Sequence, residues 1–222
     1  PMPEKLVRLA AHAGQSATRL TTYGGVEPRS LSLPGIETDR PLPEQWAHSI
    51  RRFLDENTDL EVHTVTLGAS GLGRETAHDL LPLLAGTPVR RVVLAHDSVT
   101  NYLGAIGDGE GCVISANTGT ICLAVGPRDT ARVDGWGHLL GDAGSAYWIG
   151  RTGLEAALRG HDGRRQMTAL TAAMREVFPE LESAYLDLQA APDRVARIAR
   201  FADVVADLAA SDRVAGNILD KA

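Results

Sequence analysis

The sequence predicts a two-lobed α/β protein, each lobe organised round a β-hairpin with a Gly/Ser/Thr turn at its tip. Three observations point there. Short apolar strands alternate with amphipathic helices through the first half. A strand, Gly/Ser/Thr turn, strand unit occurs at residues 6–22 and again at 111–125. Helical patterns then fill most of 164–222. A chain of 222 residues suits one large domain or two small lobes around a cleft. Glycines and acidic residues cluster at Gly107–Gly111, which places the lobes at 1–108 and 109–222.

The elements follow in order. Leu6–Ala11 is a strand, broken at His12–Ser16. Ala17–Thr22 returns as the second arm, and Gly24-Gly25 ends it. Residues 26–43 carry four prolines (28, 34, 41 and 43) and read as a long loop. A helix starts at Glu44 with Trp46, Ile50, Phe53 and Leu54 on one face. Glu61–Leu67 is a strand stopped by Gly68–Gly73, Glu75–Leu84 a second helix, and Arg91–Ala95 a strand running into His96-Asp97-Ser98. Gly111–Ser115 and Thr120–Val125 flank the turn Ala116–Gly119. After a Gly-rich stretch the chain turns helical, with a break at Pro192-Asp193.

Composition excludes several function classes. Apolar residues at 44% and charged residues at 23% rule against disorder and fibrous repeats. A net charge of −6 without a long run of either sign argues against nucleic acid or an anionic membrane as the main partner. Only Lys5 and Lys221 are lysines, and neither has the context of a Walker-A loop, whose lysine reaches the β/γ-phosphates. Cys112 and Cys122 are too few for a four-cysteine zinc site and read as buried apolar side chains in a reduced cytosol. The histidines form no H-x-x-x-H pair, so no protein-built transition-metal site is expected. With no apolar run of about 18 residues and no signal-peptide core at the start, the expectation is a soluble, cytoplasmic protein.

Three turns follow strands, at His12–Thr18, Gly68–Gly73 and Ala116–Thr120. Glycines there let backbone N–H groups approach an oxyanion, and hydroxyls add donors; each is equally a plain hairpin turn. Asp97 ends a strand, where a carboxylate suits either a general base or a helix N-cap. Asp134–Arg151 is the most specific stretch, with five glycines, two tryptophans and two aspartates in eighteen residues. In it a tryptophan suits a sugar's apolar face and Asp142 suits either hydroxyl recognition or a helix cap. His138 reads as a structural histidine.

These residues, in this order, resemble the N-acetylglucosamine kinase family, in the BadF/BadG/BcrA/BcrD ATPase group of the actin, hexokinase and Hsp70 ATPase (ribonuclease H-like) fold. Gly135–Arg151 is similar to the family's G-W-G-x-x-x-G-D-E-G-S-x-Y-W-I-x motif. Ser115–Thr120 resembles its second phosphate turn, His96-Asp97-Ser98 its T/N-D-A segment, and His12–Arg19 its first phosphate turn, D-G-G-G-T-K-T-R. The resemblance implies an ATP-dependent kinase for N-acetylglucosamine or a related amino sugar, with Asp97 as catalytic base. It implies that Gly14, Ser16, Thr18, Gly119 and Thr120 hold ATP phosphates and the Mg²⁺ shell, the metal arriving with the nucleotide. It implies that Ser70, Thr118, Gly135 and Asp142 contact the sugar, with Trp136 shaping the pocket, and it suggests a homodimer.

The chain departs from that pattern at four positions. His12 replaces the aspartate of the first phosphate turn, and imidazole is a poor ligand for the oxygen-seeking Mg²⁺. Gln15 and Asn117 replace glycines, and Ala143 replaces the acidic residue of G-D-E-G-S. Family members also run longer, so the second lobe is expected to be truncated relative to them. Two alternatives stay open: a non-catalytic sugar- or nucleotide-binding pseudokinase of the same fold, and an activator ATPase of 2-hydroxyacyl-CoA dehydratases. The latter group holds an iron–sulfur cluster between subunits, against which the expected burial of both cysteines argues.

Overall fold

The computed structural model describes residues 7–24 and 27–222. The chain divides into two compact units, one running to Asp108 and the other spanning Gly109–Ala222.

The first unit is built on a five-stranded sheet of order β3-β2-β1-β4-β5. β1 (Val7–Ala13) and β2 (Ala17–Tyr23) form an antiparallel hairpin, and β3 (Ser30–Pro34) adds to its outer side. β4 (Val62–Ala69) and β5 (Arg91–His96) join parallel to β1. Val7, Leu9, Ala11 and Ala13 alternate along β1 and are all buried. Against that face packs α1 (Leu42–Glu56), whose Trp46, Ile50, Phe53 and Leu54 lie on one stripe and enter the same core. Trp46 is 1% exposed.

Three sequence expectations change here. β1 runs through His12 and Ala13, so its turn begins at Gly14. The expected start at Leu6 and the second glycine of Gly24-Gly25 lie outside the described residues. The long loop contains β3, because Leu31 and Leu33 alternate with serines and Pro34 sits at the end of an edge strand, where no ladder N–H is needed. The second helix is short: α2 (Ala77–Leu80) gives way to a 3₁₀ turn over Leu81–Leu84, since Pro82 supplies no N–H to continue it. After β5 comes α3 (Asp97–Ala105).

The second unit opens with an antiparallel meander of β6 (Gly111–Ala116), β7 (Thr120–Val125) and β8 (Thr130–Asp134). β8 was not anticipated, as its Thr130-Ala131-Arg132-Val133 pattern is short and mostly polar. Helices follow: α4 (Ala146–His161), α5 (Ala169–Val177), α6 (Ala184–Ala190), α7 (Arg194–Leu208) and α8 (Arg213–Leu219). Their core holds Leu154, Leu170, Met174, Phe201 and Val205, with Trp148 partly buried against it. Among the described residues no helix is long and apolar enough to cross a membrane.

The cysteines do not sit in a core. Register puts Cys122 opposite Ile114, diagonal to Cys112 on one sheet face, and that face is open. Ile114 is 68% exposed, Cys112 is exposed, and the two sulfurs lie 3.0 Å apart. Burial therefore gives no argument against an iron–sulfur protein.

The α4–α7 contact depends on a missing side chain. A Cβ at Gly150 would meet the Ile198 carbonyl oxygen at 2.0 Å, which is backbone and cannot rotate away. Gly150→Ala is expected to lower unfolding free energy by about 1–3 kcal/mol through overpacking, despite alanine's better helix propensity. Urea denaturation measures it, and a stabilised variant would refute the close contact.

Candidate active site

In the first unit the parallel register brings Ala13, Ala69 and His96 level at the carboxyl ends of β1, β4 and β5. Ligands of α/β sheets bind beyond this edge. From it leave the Gly14–Ser16 turn, Ser70 and Asp97. The turn is tied down by backbone: Gly14 N–H donates to the Ala17 carbonyl at 3.0 Å, and Ile36 N–H donates to the Gly14 carbonyl at 2.9 Å. Ser70 N–H donates to the Ala13 carbonyl at 2.9 Å, joining the turn's base to the loop after β4.

Asp97 is the first residue of α3, and the N-cap is His96, whose Nδ1 accepts from Ser98 N–H at 3.2 Å. The helix-cap role considered for Asp97 thus belongs to its neighbour. Its carboxylate faces Ser70, whose hydroxyl donates to Oδ2, and its Oδ1 lies 2.9 Å from His96 Nδ1. Burial pushes the Asp97 carboxyl up. His96, the Ser70 hydroxyl and the field of His12 outweigh it and hold the group below its ordinary value. It is therefore ionised at neutral pH. Thr100 Oγ donates to the Asp97 carbonyl at 2.9 Å and steadies the first turn of α3.

The residues expected at the first phosphate turn separate. Gly14 and Ser16 lie in the turn itself, with Ser16 exposed. Thr18 pairs with Ala13 on the buried face, 2% exposed, and its hydroxyl is buried without a protein partner. His12 and Arg19 pair on the opposite face, where the His12 ring reaches over Gly14.

In the second unit the β6–β7 turn meets the Gly-rich loop. The Asp142 carboxylate lies against Gly119, where a Cβ would fall 2.5 Å from Oδ2, so any side chain there would push the carboxylate aside. It accepts the backbone N–H groups of Thr120 and Gly137 and is 6% exposed. Thr120 carries a second buried, unpartnered hydroxyl. The start of α4 closes the arrangement: Ala146 N–H donates to the Asn117 carbonyl at 3.0 Å, and Tyr147 N–H to that of Thr118 at 3.1 Å. Structure thus brings Thr118, Gly119, Thr120 and Asp142 together, with Gly135 at φ 73° beside them and Trp136 exposed at 68%. The cap of α4 is Ser145, not Asp142. His138 packs on Tyr147 at 4.7 Å between ring centroids, and burial lowers its pKa, as suits a neutral structural histidine.

Two residues that sequence reasoning left without a role, His96 and Asp134, turn out to organise these sites. Asp134 sits at φ 60° and gathers backbone N–H groups, that of Asp142 at 2.9 Å foremost, together with those of Trp136, Ala143 and Gly135. A carboxylate opening a run of glycines was the available signal for it, and a histidine just before a helix-starting aspartate was the signal for His96.

The donor sets suit ATP better than a protein-held metal. Gly-rich turns and two orphaned hydroxyls match phosphate oxygens. Among the described residues no three His, Cys, Asp or Glu side chains gather as a metal site, and His12 offers nitrogen where Mg²⁺ prefers oxygen.

The paired aspartates of the second unit shift in opposite directions. Backbone N–H groups hold Asp134 down, so its contribution to stability is present above the unfolded carboxylate value and lost as pH falls through its lowered value. Burial, helped by the Asp134 charge, pushes Asp142 up, so ionising it as pH rises destabilises the fold. At pH 7, Asp134→Asn is expected to lower the Tm, whereas Asp142→Asn leaves it level or raises it. Calorimetry checks both, and a large loss in Asp142→Asn would contradict the sign.

Comparison with known proteins now supplies the family. The chain is 36% identical over 81 residues to an N-acetylmuramic acid/N-acetylglucosamine kinase of Clostridium acetobutylicum, covering 36% of this chain and 26% of that protein. It is 33% identical over 127 residues to an N-acetyl-D-glucosamine kinase of Dictyostelium discoideum, covering 55% and 40%. It thus spans well under half the length of these curated relatives. Among solved structures, a candidate N-acetylglucosamine kinase of Chromobacterium violaceum matches with TM-score 0.82 at 23% identity, over 99% of this chain and 80% of that one. A second from Porphyromonas gingivalis gives 0.76 at 18% identity, over 96% and 77%. These likenesses establish the actin-like ATPase fold. The sequence profile of the BadF/BadG/BcrA/BcrD ATPase family matches residues 37–222, and the chain belongs to that family.

Proposed function

We propose that this protein is an ATP-dependent kinase that phosphorylates N-acetylglucosamine or a related amino sugar in the cytoplasm. The observation that carries the reading is Asp97: an ionised, largely buried carboxylate, held by Ser70 and His96 at the carboxyl edge of the first unit's sheet. The kinases among its relatives favour the same chemistry over that of an iron–sulfur activator. In the first unit Gly14, Ser16 and Thr18 would hold phosphate oxygens, and in the second Gly119 and Thr120 would do so. Ser70, Thr118, Gly135 and Asp142 would meet the sugar, with Trp136 against its apolar face. ATP, when bound, supplies the phosphoryl group and brings Mg²⁺ with it. Asp97 takes the proton of a sugar hydroxyl as that oxygen forms a bond to the terminal phosphorus and the bond to ADP breaks. The chain's part is orientation and proton removal.

A second reading is supported by one observation. His12 puts an imidazole over the first turn, at the position where the resembled family's turn carries an aspartate that helps hold Mg²⁺. A pseudokinase that binds the sugar without turning it over would follow.

ADP release from Mg-ATP with N-acetylglucosamine separates the two. On the kinase reading, Asp97→Asn lowers kcat by about 10²–10⁴-fold with the sugar KM within a few-fold, and His12→Asp raises turnover. Undiminished kcat in Asp97→Asn would remove it as base. Sugar binding without ADP release at any Mg²⁺ concentration would establish the pseudokinase.

A further inference from the structure

The two oxygens of Asp97 have different neighbours. Oδ2 takes the Ser70 hydroxyl. Oδ1 is buried and 2.9 Å from His96 Nδ1, close enough for an ion pair yet without an aligned hydrogen bond. The same Nδ1 lies 3.2 Å from the Ser98 amide and 2.9 Å from the Ser98 hydroxyl. One ring nitrogen therefore faces opposite demands, because the amide offers a hydrogen and the carboxylate a lone pair. Unprotonated, Nδ1 caps α3 and repels Oδ1. Protonated, it donates to Oδ1 and fixes the carboxylate from the side that Ser70 does not reach. The charged or titratable side chains acting on Asp97 are His96 beside it and His12 from β1.

We propose that His96 is a positioning residue for Asp97: it clamps Oδ1 while Ser70 clamps Oδ2, and so sets the angle at which the carboxylate meets the sugar hydroxyl. The proposal rests on the kinase reading. It distinguishes His96 from a plain helix cap, because a cap needs Nδ1 as an acceptor, whereas the clamp needs a hydrogen on that same nitrogen. The pairing also contributes to holding the Asp97 carboxyl below its ordinary value.

Two variants separate cap from clamp. Serine is a good N-cap but too short to reach Oδ1, while asparagine caps equally well and carries an amide N–H. His96→Ser is expected to keep a Tm near that of the wild type, lose kcat by about 10- to 100-fold and leave the sugar KM little changed. His96→Asn recovers most of that loss. Independently of activity, carbon-13 NMR of the Asp97 carboxyl should show its titration midpoint moving up in His96→Ser and staying low in His96→Asn. Equal kcat in all three proteins, or a midpoint that does not move, overturns the proposal. If the serine variant does not fold, nitrogen-15 shifts of His96 in the wild type and in Asp97→Asn decide: Nδ1 must lose proton occupancy without the carboxylate, and unchanged shifts overturn the clamp. A wild type that turns over no amino sugar, with its Asp97 midpoint still answering to His96, overturns the kinase reading and leaves the pairing standing.

Discussion

The first unit depends on the parallel register of β1, β4 and β5. Parallel neighbours need a crossover, and α1 supplies one that buries Trp46, Ile50 and Phe53 against the row Val7, Leu9, Ala11 and Ala13. Because Ala13, Ala69 and His96 end level, the chain leaves the sheet at one edge three times. The phosphate-type turn, Ser70 and Asp97 are neighbours for that reason alone, although some eighty residues separate the first from the last. A one-residue slip at either ladder would turn His96 and its row to the other face.

Each hairpin turn is fixed from outside as well as by its own backbone bonds. In the first unit the segment after β3 bonds back to Gly14, and in the second the start of α4 bonds to Asn117 and Thr118. The phosphate role proposed for both turns asks for this, since donors that are already oriented need no reordering when a ligand arrives. Asp142 adds a charge to the second turn, and its raised carboxyl and the lowered one of Asp134 show burial and backbone bonding pulling two nearby aspartates apart.

Much of this was legible in the sequence, for identifiable reasons. Both hairpins showed because glycine and hydroxyl residues interrupt apolar runs, and α1 showed because Trp46, Ile50 and Phe53 keep helical spacing. β3 was hidden by prolines that an edge strand tolerates, and β8 by residues too polar to mark a strand. The second helix was overdrawn because periodicity outweighed Pro82. The cysteines misled through an average: thiols are mostly buried, but strand register places these two on an open face. Asp97 stood out by position, while Ser70 did not, because it meets Asp97 only through the tertiary pairing of β4 and β5. The adjacent His96 was visible as a neighbour, but not that its ring turns back onto the carboxylate.

The tryptophans are distributed unevenly, and that gives the molecule built-in optical probes. Trp46 lies in the core of the first unit, out of reach of a soluble quencher, and its emission will be blue-shifted. Trp136, on the glycine-rich loop of the second unit, stands in water and will emit to the red, open to collision with iodide. The red, iodide-sensitive part of the intrinsic fluorescence therefore reports the loop, while the blue part reports the interior, from Trp46 in the first unit and the half-buried Trp148 in the second, with no label attached.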